Sequence, residues 1–429
     1  MDDYLNSAID AVIAERSYYE FVKQAFRVIE PNTEYVDNWH IEVLCNRLQR
    51  EVERIDRKEE KTADIIINVP FRSMKSLIVS VCLVPWVWTR FSYMKIIDAG
   101  YEADQSIERG TLSRRILDSD WYQKNWGQKW AYTGDQNQKK KFENNRGGFR
   151  RAVSTGGAVT GSGADILIVD DPIKPKDAHS DIERSKVNRW FDETYYSRLN
   201  TPKIGVRIII MQRLHEGDLT GHLLGKSAQK YDHYCIPAEK ADNIKPAHFE
   251  KYYENGLFWK DRWTKELIDT YKESLGSYGA SGQLQQKPSP ETGGIIKRWL
   301  VPVDELPFNT AGMVPQYDWD TAYTDKEENA ANAYVKSYHW GGKLWIVEAG
   351  HFWAEFPDLI AKMRTMKGTH YIEAKASGKS IAQQLRSEGV NAVEYQPISG
   401  DKIVKVRMAT PAMEAGRVQC LSSYIEYIT

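Results

Sequence analysis

Three short apolar runs stand out along the chain, Ile65-Ile66-Ile67-Asn68-Val69, Ala164-Asp165-Ile166-Leu167-Ile168-Val169 and Val206-Arg207-Ile208-Ile209-Ile210-Met211. Each gives way to polar residues, and strands that are apolar throughout belong to parallel sheets covered on both faces. Around them the spacing is helical. Apolar and aromatic positions from about Tyr4 to Ile29 predict a helical N-terminal unit ending before Pro31, and a second helix from about Trp39 to Arg57 precedes the first strand. Leu77 to Thr89 reads as a buried helix, Tyr93 to Asp98 as a short strand and Arg114 to Asn125 as a further helix. This alternation predicts an α/β fold with a parallel sheet flanked by helices.

The pattern changes after a proline-rich connection from Pro288 to Pro315. A strand from Gln316 to Ala322 leads into a polar turn, Thr324 to Asn329, and then into two strands, Ala333 to His339 and Leu344 to Glu348. A helix rich in Ala, Leu and Met follows. Next comes His370-Tyr371-Ile372-Glu373-Ala374-Lys375, a strand ending on an acid with a lysine beyond it. A chain of 429 residues exceeds what one core usually organises, so two or three domains are expected.

Composition narrows the class. A net charge of −1 with 27% charged residues leaves any nucleic-acid contact to local patches. The cysteines, Cys45, Cys82, Cys235 and Cys420, form no C-x-x-C pair, which argues against structural zinc and a disulfide framework. No apolar run approaches membrane-spanning length and the N-terminus Met1-Asp2-Asp3 is acidic, so a soluble cytoplasmic protein with no membrane contact is expected.

The first strand carries candidate chemistry at its end. Val69-Pro70-Phe71-Arg72-Ser73-Met74-Lys75-Ser76 joins it to an apolar helix, the build of a loop whose backbone N–H groups wrap phosphates. Lys75 would reach the outer phosphates of ATP and the Ser76 hydroxyl would take Mg²⁺. Neither glycine of the usual pattern is present, because Val69 and Met74 stand in those places. The plain alternative is a strand-to-helix turn with a solvated lysine. The second run ends in Asp170-Asp171-Pro172, where one carboxylate (Asp170) would hold the metal and its neighbour (Asp171) would orient the attacking water. An Asx turn into Pro172 is the ordinary reading of that pair. The third run ends in Gln212 and Arg213, candidates for sensing the γ-phosphate or, equally, solvated polar ends. Trp39-His40 fits either an adenine contact or an aromatic helix start packed in the core. Gly147-Gly148 and the glycines from Gly156 to Gly163 mark tight turns or a mobile loop before the acidic strand.

Four segments together resemble the large subunit of a tailed-bacteriophage terminase. They are Pro70 to Ser76, Thr160 to Pro172, Ile210 to Leu219 and Gln283-Leu284-Gln285-Gln286-Lys287-Pro288. The resemblance implies a helical N-terminal segment (1–34), a P-loop ATPase domain (35–285), a linker (286–312) and an RNase H-like α/β nuclease domain (313–429). Arg72 matches a loop arginine common in that family, and Arg72, Ser73, Met74, Lys75 and Ser76 would cradle the nucleotide. A glycine is normal where Met74 stands. In the nuclease, Asp320 and Glu373 would be the catalytic carboxylates holding two cations, Mg²⁺ or Mn²⁺, with Lys375 on the scissile phosphate or shielding Glu373. The family's nuclease adds an Asp from a later helical segment, and no Asp follows Asp401 here. The chain is therefore expected to end inside the nuclease and to cut DNA weakly or not at all.

The implied partners are double-stranded DNA, the procapsid portal protein, the small terminase subunit and further copies in a ring, all in the cytoplasm of an infected bacterium. In such a ring one subunit supplies an arginine to its neighbour's nucleotide, and Arg109, Arg146, Arg150 and Arg151 are candidates. Two rival readings stay open. One is an RNase H-like nuclease or recombinase on a degenerate, non-hydrolysing P-loop scaffold, and the other is a non-catalytic assembly protein.

Overall fold

The three apolar runs lie side by side. In the computed structural model, β1 (Asp64–Asn68), β2 (Ile96–Gly100), β3 (Tyr132–Asn137), β4 (Lys141–Asn144), β5 (Phe149–Ser154), β6 (Ile166–Asp170), β7 (Val206–Met211) and β8 (Tyr231–Cys235) form one sheet. Its order is β3-β4-β5-β2-β6-β7-β1-β8. The six strands from β5 to β8 in that order are parallel, and the β3-β4 ribbon joins antiparallel at one edge. The structure describes residues 2–159, 161–226, 228–288, 300–321, 331–374, 376–396 and 402–425. Two compact units divide the chain, Met1–Pro290 and Glu291–Thr429.

Strands β1, β2, β6 and β7 are buried at every residue because helices cover both faces of the sheet. The strand period of two sorts their side chains. Ile65, Ile67, Ile166, Ile168, Ile208 and Ile210 face one core, and Ile66, Leu167, Val169, Ile209 and Met211 face the other. By the same alternation Asp98 and Asp170 lie on the first face. The first core also takes in the N-terminal helices through Tyr18, Phe21, Val22 and Ala25. The expected helical N-terminal unit consists of two helices, Asp2–Arg16 and Tyr18–Ile29, since Ser17 is extended and its hydroxyl caps the second helix by accepting from the Glu20 N–H.

After the phosphate-type loop the chain enters a π-helical stretch, Leu77–Cys82, which runs into the α-helix Leu83–Arg90. Pro85 offers no N–H to the preceding turn, and the wider winding before it accommodates the loss. Strand β2 begins later than expected, at Ile96 rather than Tyr93, and the helix expected from Arg114 to Asn125 is two helices, Ala103–Leu117 and Asp120–Trp126. Among the described residues no helix is long and apolar enough to cross a membrane. All four cysteines are buried as free thiols.

The C-terminal unit has its own sheet of β9 (Val301–Val303), β10 (Gln316–Asp320), β11 (Asn332–Trp340), β12 (Lys343–Phe352), β13 (Thr369–Glu373), β14 (Ala392–Tyr395) and β15 (Val418–Leu421). The order is β14-β13-β10-β11-β12-β15-β9. β10, β11 and β12 are an antiparallel meander, while β13 and β14 continue parallel from β10. Tyr317 and Trp319 turn inward onto Leu359, Met363, Ile372 and Leu385, which sends Asp318 and Asp320 to the opposite side of β10. β9 lies in the stretch 286–312 expected as a linker and pairs with β15. The turn 324–329, Thr160, Lys375, Asp401 and the terminal 426–429 lie outside the described residues.

Candidate functional site

The loop between β1 and the π-helical turn bends through two residues in the left-handed region, Arg72 (φ 56°) and Met74 (φ 62°). Left-handed backbone costs a residue with a Cβ about 1–2 kcal/mol, so something must hold it. Inside the loop the Ser73 hydroxyl donates to the Pro70 carbonyl at 2.6 Å. From outside, the His40 Nε2–H donates to the Ser73 carbonyl at 3.0 Å. Burial pushes the His40 pKa down to about 4, so the ring is neutral. Trp39 stacks on Tyr252 at 5.1 Å and donates to the Phe258 carbonyl, and both rings are thereby engaged in packing rather than offered to a base.

Lys75 and Ser76 meet the paired acids at the tip of β6. The Lys75 Nζ lies 2.6 Å from Asp171 Oδ2, and the Ser76 hydroxyl donates to Asp170 Oδ1 at 3.0 Å. One helical turn on, the Ser80 hydroxyl donates to Asp170 Oδ2 at 2.7 Å. β1 and β6 are not neighbours, since β7 runs between them. It is the start of the helix after β1 that reaches across to β6. Asp171 is left-handed (φ 45°), which swings its side chain off the strand line toward Lys75 while the Gln212 N–H donates to its Oδ1 at 3.3 Å. Withdrawal from water pushes the Asp171 carboxyl above the ordinary carboxylate range, Lys75 pulls it back down, and the neighbouring Asp170 charge pushes it up again. A carboxyl so poised suits a group that takes a proton from water.

Behind Asp170 stands a buried charge cluster that the sequence analysis did not assemble. The Arg109 Nε lies 3.5 Å from Asp170 Oδ2, and the same guanidinium clasps Asp98 at 3.0 and 3.1 Å. Asp98 also accepts from Ser106 and is ion-paired to Arg150. Arg150 is wholly buried, and a Cβ on Gly110 would sit 2.2 Å from its Nη1, so only glycine leaves room for it there. Burial pushes the Arg150 pKa down to about 10 against the pull of Asp98. Arg109 and Arg150 are therefore spent within their own chain. Of the other arginine candidates, Arg151 donates to the Ser162 hydroxyl at 2.8 Å, while Arg146 is exposed with its Nε 3.3 Å from the Lys129 carbonyl.

Gln212 and Arg213 follow β7, between the two halves of the site. Arg213 is held by Asp218, with Nε 2.9 Å from Oδ2 and 3.0 Å from Oδ1, and its N–H donates to Gln286 Oε1 at 2.9 Å. Gln212 is buried with its Oε1 unpartnered among the described residues, a polar atom left for something else to satisfy. One hydroxyl (Ser76) and one carboxylate (Asp170) converge on one point, which fits the hard oxygen set of Mg²⁺. Lys75 beside them fits a phosphate.

In the C-terminal unit the register Trp319↔Ile372 leads directly to Asp320 and Glu373, side by side at the ends of parallel strands. Glu373 is ion-paired to Lys405 of the helix Lys402–Glu414. Sequence reasoning had not singled out Lys405 or Asp318. Burial raises the Asp318 carboxyl pKa, and burial, with the charges of Glu373, Asp318 and Asp320 adding to it, raises that of Tyr395. Among the described residues no three His, Cys, Asp or Glu side chains group closely enough to hold a metal ion. Two carboxylates are thus brought together, short of a closed two-cation set.

No protein-family model matches the chain, and no curated protein matches it. Solved structures that it is similar to are large terminases of bacteriophages. One, from a thermophilic phage, is 11% identical over 93% of this chain and 87% of that chain, with a TM-score of 0.43. The HK97 large terminase is 10% identical over 93% of this chain and 90% of that one, with a TM-score of 0.38. The ATPase domain of the large terminase of Thermus phage P74-26, as a mutant, is 11% identical over 62% of this chain and 97% of that chain, with a TM-score of 0.37.

Proposed function

We propose that this chain is the large subunit of a phage terminase, a motor that hydrolyses ATP to drive double-stranded DNA into a procapsid and carries a metal-dependent nuclease in its second unit. The observation that carries the reading is the meeting of Lys75 with Asp171 and of Ser76 with Asp170, residues roughly a hundred positions apart joined at 2.6 and 3.0 Å. Lys75, with the N–H groups of Arg72, Ser73 and Met74, binds the phosphates. Ser76 and Asp170 would hold Mg²⁺, which when bound offsets phosphate charge. Asp171 orients a water and takes its proton as the water oxygen bonds to the γ-phosphorus and the bridging P–O bond to ADP breaks. Gln212, whose N–H donates to Asp171 Oδ1 and whose Oε1 is unpartnered among the described residues, stands where the loss of the γ-phosphate reaches Arg213 and Asp218. Asp320 and Glu373 would hold Mg²⁺ or Mn²⁺, which when bound would activate a water against the DNA backbone. Portal, small subunit and a ring of copies around DNA are the partners of such a motor in the host cytoplasm, with Arg146 the exposed candidate for a neighbour's nucleotide.

The glycine-less loop favours a second reading, a nuclease whose first unit is a non-hydrolysing scaffold, because Arg72 and Met74 hold left-handed conformations at a cost. Calorimetric titration with a Mg·ATP analogue separates the two. The motor reading requires binding by the parent that Lys75→Ala loses, and the scaffold reading requires none by either.

A further inference from the structure

A chain of hydrogen bonds ties the phosphate loop to a segment far along the sequence. The Phe258 carbonyl accepts from Asn38 Nδ2 at 2.8 Å and from Trp39 Nε1 at 2.9 Å. Asn38 Nδ2 also lies 2.6 Å from His40 Nδ1, and His40 Nε2 lies 3.0 Å from the Ser73 carbonyl oxygen. A carbonyl only accepts, so Nε2 carries the proton and Nδ1 receives the Asn38 amide, which fixes one neutral tautomer. The ring is wholly buried, between Phe258 at 5.3 Å and Trp259 at 5.0 Å.

The grip falls at a telling place. Ser73 sits between the two left-handed residues, Arg72 and Met74, and Met74 stands where a glycine would take that backbone freely. A trans peptide is planar, with its C=O and the following N–H on opposite sides. Turning the Ser73 carbonyl onto His40 therefore turns the Met74 N–H the other way. We propose that His40, oriented by Asn38, is a positioning residue for nucleotide binding: it fixes the Ser73–Met74 peptide so that the Met74 N–H faces the phosphates, supplying by a tertiary hydrogen bond the loop shape that glycine supplies by its own freedom. This rests on the reading of Lys75 and Ser76 as a phosphate site.

The test is a set of calorimetric titrations of Mg·AMP-PNP into the full chain and its variants. His40→Leu keeps an apolar body between Phe258 and Trp259 and removes the donor, whereas His40→Gln keeps a donor that can reach Ser73. Expected results are binding about tenfold weaker for Leu, equivalent to about 1.4 kcal/mol, and within about twofold of the parent for Gln. Adding Met74→Gly to His40→Leu should recover most of the loss, since a glycine no longer needs the grip. A residue that merely packs would not be rescued from the loop. Lys75-dependent binding by the parent that is equal in His40→Leu overturns the positioning role alone, as does a double variant no better than His40→Leu. Binding by the parent that Lys75→Ala leaves unchanged overturns the nucleotide reading and the positioning role with it.

Discussion

Removing the Asp98 carboxylate should be among the most damaging single changes in the N-terminal unit. Asp98 is fully buried and accepts from Arg109 at 3.0 and 3.1 Å and from Ser106 at 2.9 Å, besides its ion pair with Arg150. In Asp98→Ala, Arg109 keeps only Asp170 at 3.5 Å and the Ala99 carbonyl at 3.3 Å, and Arg150 keeps the Ser106 carbonyl at 2.6 Å. Two buried guanidiniums would then have lost their shared carboxylate, with Arg109 alone in reach of Asp170. Breaking a buried pair by deleting one partner costs about 3–5 kcal/mol, and at about 2–4 °C per kcal/mol the melting transition should fall by roughly 6–20 °C. Circular dichroism against temperature reads this directly. The exposed pair Lys203–Glu60, with side chains 77% and 68% exposed, is the control, and Glu60→Ala should leave the transition within about 2 °C. Combining Asp98→Leu with Arg150→Met removes charge of both signs, so the double change should cost less than the sum of the single ones. A fall of less than about 2 °C for Asp98→Ala would show that the cluster is not a buried, mutually dependent unit, and the reasoning would fail.

Other outcomes follow from the same geometry. Burial holds both His40 and His233 down to about 4, with Lys245 and Arg213 adding to the effect on His233. Both rings stay neutral in the fold while the unfolded chain takes protons near pH 6.5. Between pH 6.5 and 4 the unfolded state therefore binds more protons, and stability is lost as pH falls, by up to about 3 kcal/mol per ring. Urea midpoints across that window should fall less steeply in His40→Gln, and an unchanged slope would contradict the assignment. In the second unit, Lys405→Ala removes one cation from the Glu373 carboxylate, so Mn²⁺ measured by calorimetry should bind several-fold more tightly, whereas Glu373→Gln should weaken it. Unaltered affinity in both variants would remove Glu373 from the metal site.

How much of this could be read from sequence varies by residue. Lys75, Ser76, Asp170 and Asp171 were legible because the pair of acids ends an apolar run and Lys-Ser follows the loop that ends another, and strand ends of a parallel sheet gather at one edge. Met74 looked like a departure from a glycine pattern, and Arg72 like a match to the loop arginine of the resembled family. The pattern reads residue identity, whereas their left-handed backbone is compatible with hydrogen bonds that start 33 residues upstream at His40. Asp98 carried a signal that went unused, a charge inside the apolar strand Ile96-Ile97-Asp98-Ala99. Its partner Arg150, 52 residues on, could not be paired with it without the parallel register of β2 and β5. Arg213 was a candidate for sensing the γ-phosphate or a solvated polar end, and the acid that holds it, Asp218, stands five residues away as the cap of the helix Leu219–Leu224. Lys405 was not visible, since a lysine on a helix far from β13 has no local mark.

The most direct test of the central claim is ATP turnover by the full chain with Mg²⁺ and double-stranded DNA, compared with Asp171→Asn, alongside calorimetric binding of Mg·AMP-PNP to both. If Asp171 is the group that orients water and takes its proton, the parent turns over and Asp171→Asn binds the analogue within a few-fold of the parent while hydrolysis falls by about a hundredfold or more. Equal turnover by the two proteins, or a parent that binds and never hydrolyses, would contradict it.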